Sequence, residues 1–331
     1  MGEQILCAIG DRSEVGEARR RIAEVADTAG LGEQPREKVA LIVSELGTNL
    51  VKHGGGGAML ARAVPGRAAL EVLALDKGPG MANVEDCFRD GHSTAGSAGT
   101  GLGAVRRLAS FVDVYSRRPG GTAILARVAG AAGAAPSAWE IGAVRLAKAG
   151  EDVCGDNWTA AEIGDGYSVM VADGLGHGLG AADAAHAAVR CFEAAPALGP
   201  GEQLSAVHLA LRGTRGAAVA VARVNRRAGV VVFAGIGNVA GCIVGKEGVR
   251  QLVSLNGTAG HTVRKVNEFT YPWPEDALLI MHTDGLGGRW NLADYPGLSE
   301  RDPSVVAGVL YRDYSRGRDD VTVVAARERA A

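Results

Sequence analysis

SELGTNLVKHG, residues 44–54, is the stretch around which the first half of the chain is organised. In and just before it, apolar residues recur at helical spacing: Val39, Ile42, Val43, Leu46 and Leu50. Glu45 and Asn49 are four residues apart, so they lie one turn from each other on one face of the predicted helix. The amide oxygen of Asn49 suits Mg²⁺, and the Glu45 carboxylate can orient or deprotonate an attacking hydroxyl. The pair alone is equally compatible with a solvated face that only stabilises the helix.

Length and composition limit the classes of protein to consider. The chain has 331 residues, which favours two domains, and its hydrophobic content of 47% supports real cores. A net charge of −2 without a basic block, and only 5% aromatic residues, argue against nucleic acid or a membrane surface as a partner. The five cysteines are scattered outside CxxC pairs, which indicates reduced thiols. Neither a signal peptide nor a long apolar run is evident, so the sequence predicts a cytoplasmic protein.

Two glycine-containing motifs follow the opening helix in the first half of the chain. A predicted strand over 68–75 runs into DKGPG (76–80), where Asp76 can accept a hydrogen bond from an exocyclic amine such as that of adenine. By itself this motif is also a common turn. Residues 81–98 are polar and rich in glycine and serine, and we interpret them as a mobile lid. GTGLG (99–103) opens into a predicted helix over 104–110, an arrangement that favours phosphate binding but also occurs at ordinary helix entries.

In this order the motifs resemble the nucleotide-binding boxes of the GHKL ATPase superfamily, and SELGTNLVKHG with TGLGAVRRLAS is most similar to the RsbT type of anti-sigma-factor serine kinase. The resemblance covers about residues 1–128. It implies that Glu45 is the base-like carboxylate, that Asn49 binds Mg²⁺ and that Asp76 binds adenine. It also implies an ATP site completed by the following residues: Gly78, Gly80, Thr100, Gly101, Leu102, Gly103 and Thr122.

Beyond a small-residue linker (129–137), three acidic residues lie at the ends of predicted strands. Asp173 begins DGLGHG (173–178), Asp284 lies in HTDG (282–285), and Asp319 precedes the last strand. Asp156 is expected in a loop. A single aspartate of this kind is usually a turn former, but several brought together would repel unless divalent cations neutralised them. Oxygen ligands suit Mg²⁺ or Mn²⁺, and two such ions can activate a water and hold a phosphoryl group. His177 is near this site in sequence, as a proton donor or as a structural histidine.

The second half resembles the PP2C/SpoIIE-type metal-dependent serine/threonine phosphatases, and VADGLGHGLGAADAA is most similar to the RsbX branch. The resemblance implies two Mn²⁺ or Mg²⁺ ions held by Asp156, Asp173, Gly174, Asp284 and Asp319, with Asp173 bridging them. The early Glu-Asp pair and the phosphate-binding arginine of larger family members have no evident counterpart here. Glu151 and Asp152 are the substitutes for the pair, although Asp156 fits the bacterial branch better. Asp320 is the alternative to Asp319.

Together these resemblances imply an α+β protein of two domains. Residues 1–128 would form a GHKL-type α/β sandwich with a mixed sheet covered by helices, and residues 138–331 a PP2C-type αββα sandwich. The implied function is a bifunctional kinase and phosphatase acting on STAS-domain proteins in a partner-switching circuit that controls a sigma factor. In the alternative, the N-terminal domain binds ATP without transferring phosphate, and either sequesters a partner such as a sigma-factor regulator or gates the phosphatase.

Overall fold

The computed structural model describes residues 4–64, 66–88, 101–130 and 137–329. The chain folds into two compact units. The first comprises Met1–Pro136 together with Asn291–Arg312, and the second comprises Ser137–Trp290 together with Asp313–Ala331. The segment Asn291–Arg312, here called the return segment, therefore groups with the N-terminal part of the chain although it lies far from it in sequence. The predicted linker falls largely on residues outside the described ranges, as do residues 89–98 of the predicted lid.

The first unit is built on one five-stranded sheet with strand order β1-β2-β3-β5-β4. Its strands are β1 (Ile5–Ile9), β2 (Gly57–Ala63), β3 (Ala69–Asp76), β4 (Phe111–Ser116) and β5 (Thr122–Ala129). Its helices are α1 (Arg12–Thr28), α2 (Glu33–Asn49), α3 (Val84–Cys87) and α4 (Gly101–Leu108). Every neighbouring pair of strands in this sheet is antiparallel, so the expected mixed sheet is wrong in that detail.

Successive side chains along each strand point to opposite faces of the sheet, and residues of β3 are buried on both faces. On one face Leu70, Val72 and Ala74 of β3 join the core under the helices, where the apolar positions predicted on α2 are all buried. On the other face lie Glu71, Leu73 and Leu75. A Cβ on Gly308 of the return segment would come within 2.4 Å of Leu73 Cδ2, so this segment packs closely against the second face.

The second unit contains two five-stranded sheets, with strand orders β13-β10-β9-β8-β7 and β12-β11-β14-β15-β6. Strands β6 to β9 are Trp139–Leu146, Asp156–Ile163, Gly166–Gly174 and Ala217–Asn225. Strands β10 to β15 are Val230–Ile236, Ala240–Gly245, Gly248–Leu252, Phe269–Pro272, Leu278–His282 and Val321–Glu328. Helices α5 (Leu179–Ala194) and α6 (Pro200–Ala210) follow β8 in the chain. Helix α7 (Pro303–Tyr314) precedes β15, and most of it belongs to the return segment of the first unit.

One apolar core lies between the two sheets, and another lies between the first of these sheets and helices α5 and α6. The expected α+β class, with a sandwich in the C-terminal part, is confirmed. The expected loop position of Asp156 is wrong, because Asp156 is the first residue of β7. Aspartate is depleted in strands, so the residue type alone favours a loop, and pairing with β8 decides otherwise.

All five cysteines are free thiols, as the sequence predicted. Among the helices of the described residues, none has the length and apolar character needed to cross a bilayer.

Candidate active sites

The first unit contains a cavity of about 560 Å³ where α2, β3, α4 and β5 meet. Most of the residues predicted to bind nucleotide line it: Asn49, Asp76, Gly80, Gly101, Leu102, Gly103 and Thr122. Gly78 is not part of the lining, and Thr100 lies outside the described residues. Residues of three motifs that are separated in sequence therefore line one cavity.

The cavity wall includes a π-helical turn, Leu50–Gly54, which continues α2. Single π turns of this kind occur frequently at functional sites. The turn brings Lys52 and His53 to the cavity, two residues that the sequence reasoning did not single out. They follow Asn49 by three and four residues, so the same helical spacing that joined Glu45 to Asn49 could have identified them.

Asp76 ends β3 and presents a carboxylate to the cavity. Its Oδ1 accepts hydrogen bonds from the backbone N–H of Gly78, at 2.8 Å, and of Thr122, at 3.2 Å. Burial raises the pKa of Asp76, and these two N–H donors oppose the rise. Both hydrogen bonds end on Oδ1, so Oδ2 has capacity to accept from an amine of a ligand.

Gly80 allows the chain to turn sharply beside Asp76. Its φ of 74° lies in the left-handed region, and a Cβ there would come within 2.1 Å of the carbonyl oxygen of Arg117. The next residue, Met81, donates its N–H to Ser116 Oγ at 2.7 Å. Only glycine fits at this position, which explains the second glycine of the motif.

Asn49 and Glu45 differ in their relation to the cavity. Asn49 lines it, and its Nδ2 is buried without a hydrogen-bond partner among the described residues. A Cβ on Gly101 would lie 3.9 Å from Asn49 Oδ1, so the amide faces the start of α4 with little between them. The unpartnered Nδ2 donor fits an acceptor oxygen of a bound nucleotide, and Oδ1 is the atom that could bind the accompanying cation. Glu45 is half-buried on α2 and is not among the described residues that line the cavity.

In the second unit, strand register brings two of the predicted acids together. Asp156 of β7 lies directly opposite Asp173 of β8. Asp156 is buried, and its Oδ2 accepts a hydrogen bond of 2.7 Å from Thr283 Oγ1. Burial, followed by the charge of Asp173, raises the pKa of Asp156 well above its ordinary value.

Asp173, Asp284 and Asp319 line a second cavity of about 570 Å³. Burial is the largest cause of a rise in the pKa of Asp173 to about 7, and the carboxylates of Asp284, Asp319 and Asp320 add to it. Asn238 Nδ2 donates to Asp284 Oδ2 at 2.7 Å. The predicted acids from three separate stretches of chain are thus close enough to perturb one another.

The carboxylate oxygens of this cavity fit a hard divalent cation, which would offset both the burial and the repulsion that raise the pKa of Asp173. Within the described ranges, no three acidic, histidine or cysteine side chains are already arranged as a complete metal cluster. A Cβ on Gly174 would lie 2.1 Å from the carbonyl oxygen of Ala181, so the backbone beside Asp173 is tightly packed.

Asp319 and Asp320 have different surroundings. Asp319 lines the cavity. Asp320 is buried, does not line it, and accepts at Oδ1 a hydrogen bond of 2.9 Å from the backbone N–H of Lys148. Of the two, Asp319 is the one placed to reach a ligand in the cavity.

The two histidines near the acids also differ. His177 lines the cavity, and its Nδ1 lies 2.5 Å from Glu151 Oε1, a carboxylate that is not part of the cavity lining. His282 is buried, its Nε2 accepts from Trp290 Nε1 at 3.2 Å, and burial lowers its pKa. His282 is therefore a structural residue, whereas His177 is accessible to a ligand. Lys148, Asn238 and Arg318 also line the cavity, and sequence reasoning missed all three.

Comparison with known proteins assigns a family to each part of the chain. The model of the histidine kinase-like ATPase domain matches residues 10–128. The model of stage II sporulation protein E (SpoIIE) matches residues 163–329. The serine/threonine-protein kinase RsbT of Bacillus subtilis (strain 168) is 30% identical over 128 residues, which are 38% of this chain and 96% of RsbT.

Two solved structures resemble the chain over somewhat more than half its length. A chain from a structure of the bacterial stressosome, described as a modular system adapted to control secondary messenger signalling, is 30% identical with a TM-score of 0.54. It covers 58% of this chain and 100% of its own. RsbX in complex with magnesium is 19% identical with a TM-score of 0.52, and it covers 59% of this chain and 98% of its own. At that identity the likeness to RsbX concerns the fold.

Proposed function

Since the chain belongs to the SpoIIE family through its C-terminal part and to the histidine kinase-like ATPase family of RsbT through its N-terminal part, we propose that it is a protein serine/threonine kinase and phosphatase in one polypeptide. The kinase would occupy residues 1–128 and the phosphatase residues 138–331. Both would act in the cytoplasm on small STAS-domain proteins of a partner-switching circuit.

The observation that carries the phosphatase half of this proposal is the convergence of Asp173, Asp284 and Asp319 on one cavity. Two divalent cations bound there would supply an activated water and charge neutralisation for phosphoryl transfer. The protein's own contribution is to hold the carboxylates in place. Asp156, buried and bonded to Thr283, would anchor the set from behind, and His177 would be available to give a proton to the leaving serine oxygen.

The kinase half rests on the cavity that contains Asn49 and Asp76. Asp76 Oδ2 would accept a hydrogen bond from the exocyclic amine of adenine, while the backbone N–H groups at the start of α4 would donate hydrogen bonds to phosphate oxygens. Asn49 would provide an oxygen ligand for the Mg²⁺ that accompanies ATP. Glu45 would orient the attacking hydroxyl of the protein substrate.

One observation favours the alternative in which the first unit binds ATP without transferring phosphate. Glu45 is not among the described residues that line the cavity, although a base must reach the hydroxyl that it activates. In that case only the phosphatase performs chemistry, and nucleotide binding regulates it or sequesters a partner.

A time course of phosphorylation separates these possibilities. Purified protein is mixed with a STAS-domain protein from the same genome, labelled ATP and Mg²⁺ or Mn²⁺, and the label on the STAS protein is followed. We expect label to accumulate with Asp173→Asn and to be removed by the wild type, with phosphatase rates at least about 100-fold apart. Asp183→Asn, an exposed aspartate of α5, is the matched control and should behave as the wild type.

Two other outcomes have clear meanings. If no label appears with either protein but a pre-phosphorylated STAS protein loses its phosphate, the first unit is a binding module. If Asp173→Asn dephosphorylates at the wild-type rate, the assignment of the phosphatase site is wrong.

A further inference from the structure

Two exposed leucines belong to the stretch that follows Asp173, beside the cavity lined by Asp173, Asp284 and Asp319, which we call the acidic cavity. Leu175 is 56% exposed and lines the cavity, and Leu179, the first residue of α5, is 72% exposed. Single exposed apolar side chains are ordinary on protein surfaces. These two are distinguished by position, because Leu175 lies in the short loop that follows Asp173 and Leu179 begins the helix into which that loop leads.

Three contacts attach the loop that contains Leu175 to neighbouring residues. Leu175 donates its N–H to the carbonyl oxygen of Gly216 at 2.9 Å, and His177 contacts Glu151 at 2.5 Å. Arg215 Nη1 also donates to the carbonyl oxygen of His177 at 3.3 Å. These three contacts oppose a rearrangement of the loop that would bury Leu175.

Two positively charged side chains in the same cavity are available to form hydrogen bonds or ion pairs with a ligand. Lys148 and Arg318 both line it, and within the described part of the chain neither side chain makes a hydrogen bond or an ion pair. Lys148 contributes only its backbone N–H, to Asp320. Two unpaired cations beside carboxylates that would bind divalent metal make the cavity suitable for a phosphate dianion.

We propose that Leu175 and Leu179 form an apolar docking rim for the protein substrate, and that the preferred substrate is a phosphorylated segment with an apolar side chain beside the phosphoserine or phosphothreonine. This inference rests on the proposed phosphatase function. Leu175 lines the cavity itself and Leu179 begins the helix that follows, so a chain whose phosphate lies in the cavity would meet the leucines where it leaves. Covering them would remove apolar surface from water, which favours binding roughly in proportion to the area covered.

The experiment compares two synthetic phosphoserine peptides that differ only in the two residues flanking the phosphoserine, which are leucines in one and serines in the other. We measure kcat/KM for each peptide with Mn²⁺, using wild type, Leu175→Ser, Leu179→Ser and Leu209→Ser. Leu209 is 58% exposed on α6 and does not line the cavity, so it is a matched control. Hydrolysis of p-nitrophenyl phosphate reports phosphatase activity independently of the rim.

For the wild type and the Leu209 variant we expect the leucine peptide to be preferred by about five- to tenfold. In the Leu175 and Leu179 variants the ratio should fall towards one. The ratio within each variant is the readout, so a general loss of activity does not imitate the effect.

A wild type that treats both peptides alike overturns the docking rim while p-nitrophenyl phosphate hydrolysis leaves the phosphatase function intact. A preference that survives in both rim variants also overturns it. If the wild type hydrolyses neither the peptides nor p-nitrophenyl phosphate, the proposed phosphatase function fails, and the inference that rests on it fails too.

Discussion

The carboxylate of Asp173 is partly buried and lies near those of Asp284, Asp319 and Asp320, and both features affect how the stability of the second unit depends on pH. Burial and repulsion raise the pKa of Asp173 from the ordinary 3.8 to about 7. Folded protein without metal thus holds this proton more tightly than the unfolded chain does. Between the two pKa values the unfolding free energy therefore falls as pH rises.

This predicts a measurable difference between wild type and Asp173→Asn. With a chelator present, the thermal midpoint of wild type should fall more between pH 5.5 and pH 7.5 than that of the variant, because asparagine does not titrate. The difference should amount to on the order of 1 kcal/mol or more, since one pKa unit corresponds to about 1.4 kcal/mol. Mn²⁺ at pH 7.5 should restore stability to the wild type by binding the ionised carboxylates. If the thermal midpoints of both proteins depended equally on pH, the raised pKa of Asp173 would be contradicted.

At the scale of secondary-structure elements, a buried charge network joins the sheet of the first unit to the return segment. Glu71 of β3 accepts from Arg62 Nε at 3.0 Å and from Arg127 Nε at 2.8 Å. Arg127 also contacts Asp302 at 2.7 Å, and Ser304 Oγ donates to Glu71 at 2.9 Å. Burial opposes ionisation of Glu71, but the two arginines outweigh it and hold its pKa at about 2. Loss of any one partner would therefore leave a buried charge of the network without its counter-charge.

Removing one partner should destabilise the first unit strongly. Glu71→Ala leaves two arginines without their shared carboxylate, so we expect a loss of about 3–5 kcal/mol. Asp27→Ala is the control, because Asp27 pairs with Arg36 at an exposed site and should cost less than about 1 kcal/mol.

Spectroscopy can assign the destabilised unit. All four tryptophans (Trp139, Trp158, Trp273 and Trp290) lie in the second unit, so their fluorescence in urea reports that unit alone. Circular dichroism reports both. In Glu71→Ala we expect an early transition by circular dichroism. Identical circular dichroism curves for Glu71→Ala and Asp27→Ala would show that the network contributes little.

At the scale of the whole molecule, the return segment connects the two candidate sites along the chain. Asp284 precedes Asn291 by seven residues, and Asp319 follows Arg312 by seven. Arg312 Nη1 donates to the backbone carbonyl oxygen of Asp76 at 3.0 Å within the first unit. Just beyond it, Gly287 N–H donates to the carbonyl oxygen of Tyr314 at 2.8 Å. A change at the nucleotide cavity therefore has a short covalent route to residues beside the acidic cavity.

If this route couples the sites, nucleotide should alter phosphatase activity in cis. We expect saturating ATP or ADP to change the kcat for p-nitrophenyl phosphate by at least about twofold, equivalent to a small coupling free energy. Arg312→Ala should reduce that response, whereas Arg289→Ala, an exposed arginine of the second unit, should preserve it. An unchanged response in Arg312→Ala would exclude this contact as the connection.

The helices and strands that could be predicted from sequence are those with a strong pattern of apolar residues. Helix α2 has an unbroken apolar stripe, and β8 is an apolar run that ends in Asp-Gly. Strand β2, with the sequence GAMLARA, was not anticipated because alanine and glycine have low strand propensity and only its two neighbours make it a strand. Asp156 was misplaced for a related reason. Its residue type favours a loop, and its pairing opposite Asp173 is a property of the sheet.

Residue order by itself determined the α+β class, the resemblance to two enzyme families and the identity of the candidate acids, because these depend on local spacing and on motif composition. Only the tertiary structure decided that Asp319 and not Asp320 lines the acidic cavity, and that Glu45 does not line the nucleotide cavity. It alone also placed Asn291–Arg312 with the first unit, against strand β3, which lies more than two hundred positions away in sequence. Such contacts depend on complementary surfaces brought together by the whole fold, and no periodicity within the segment encodes them.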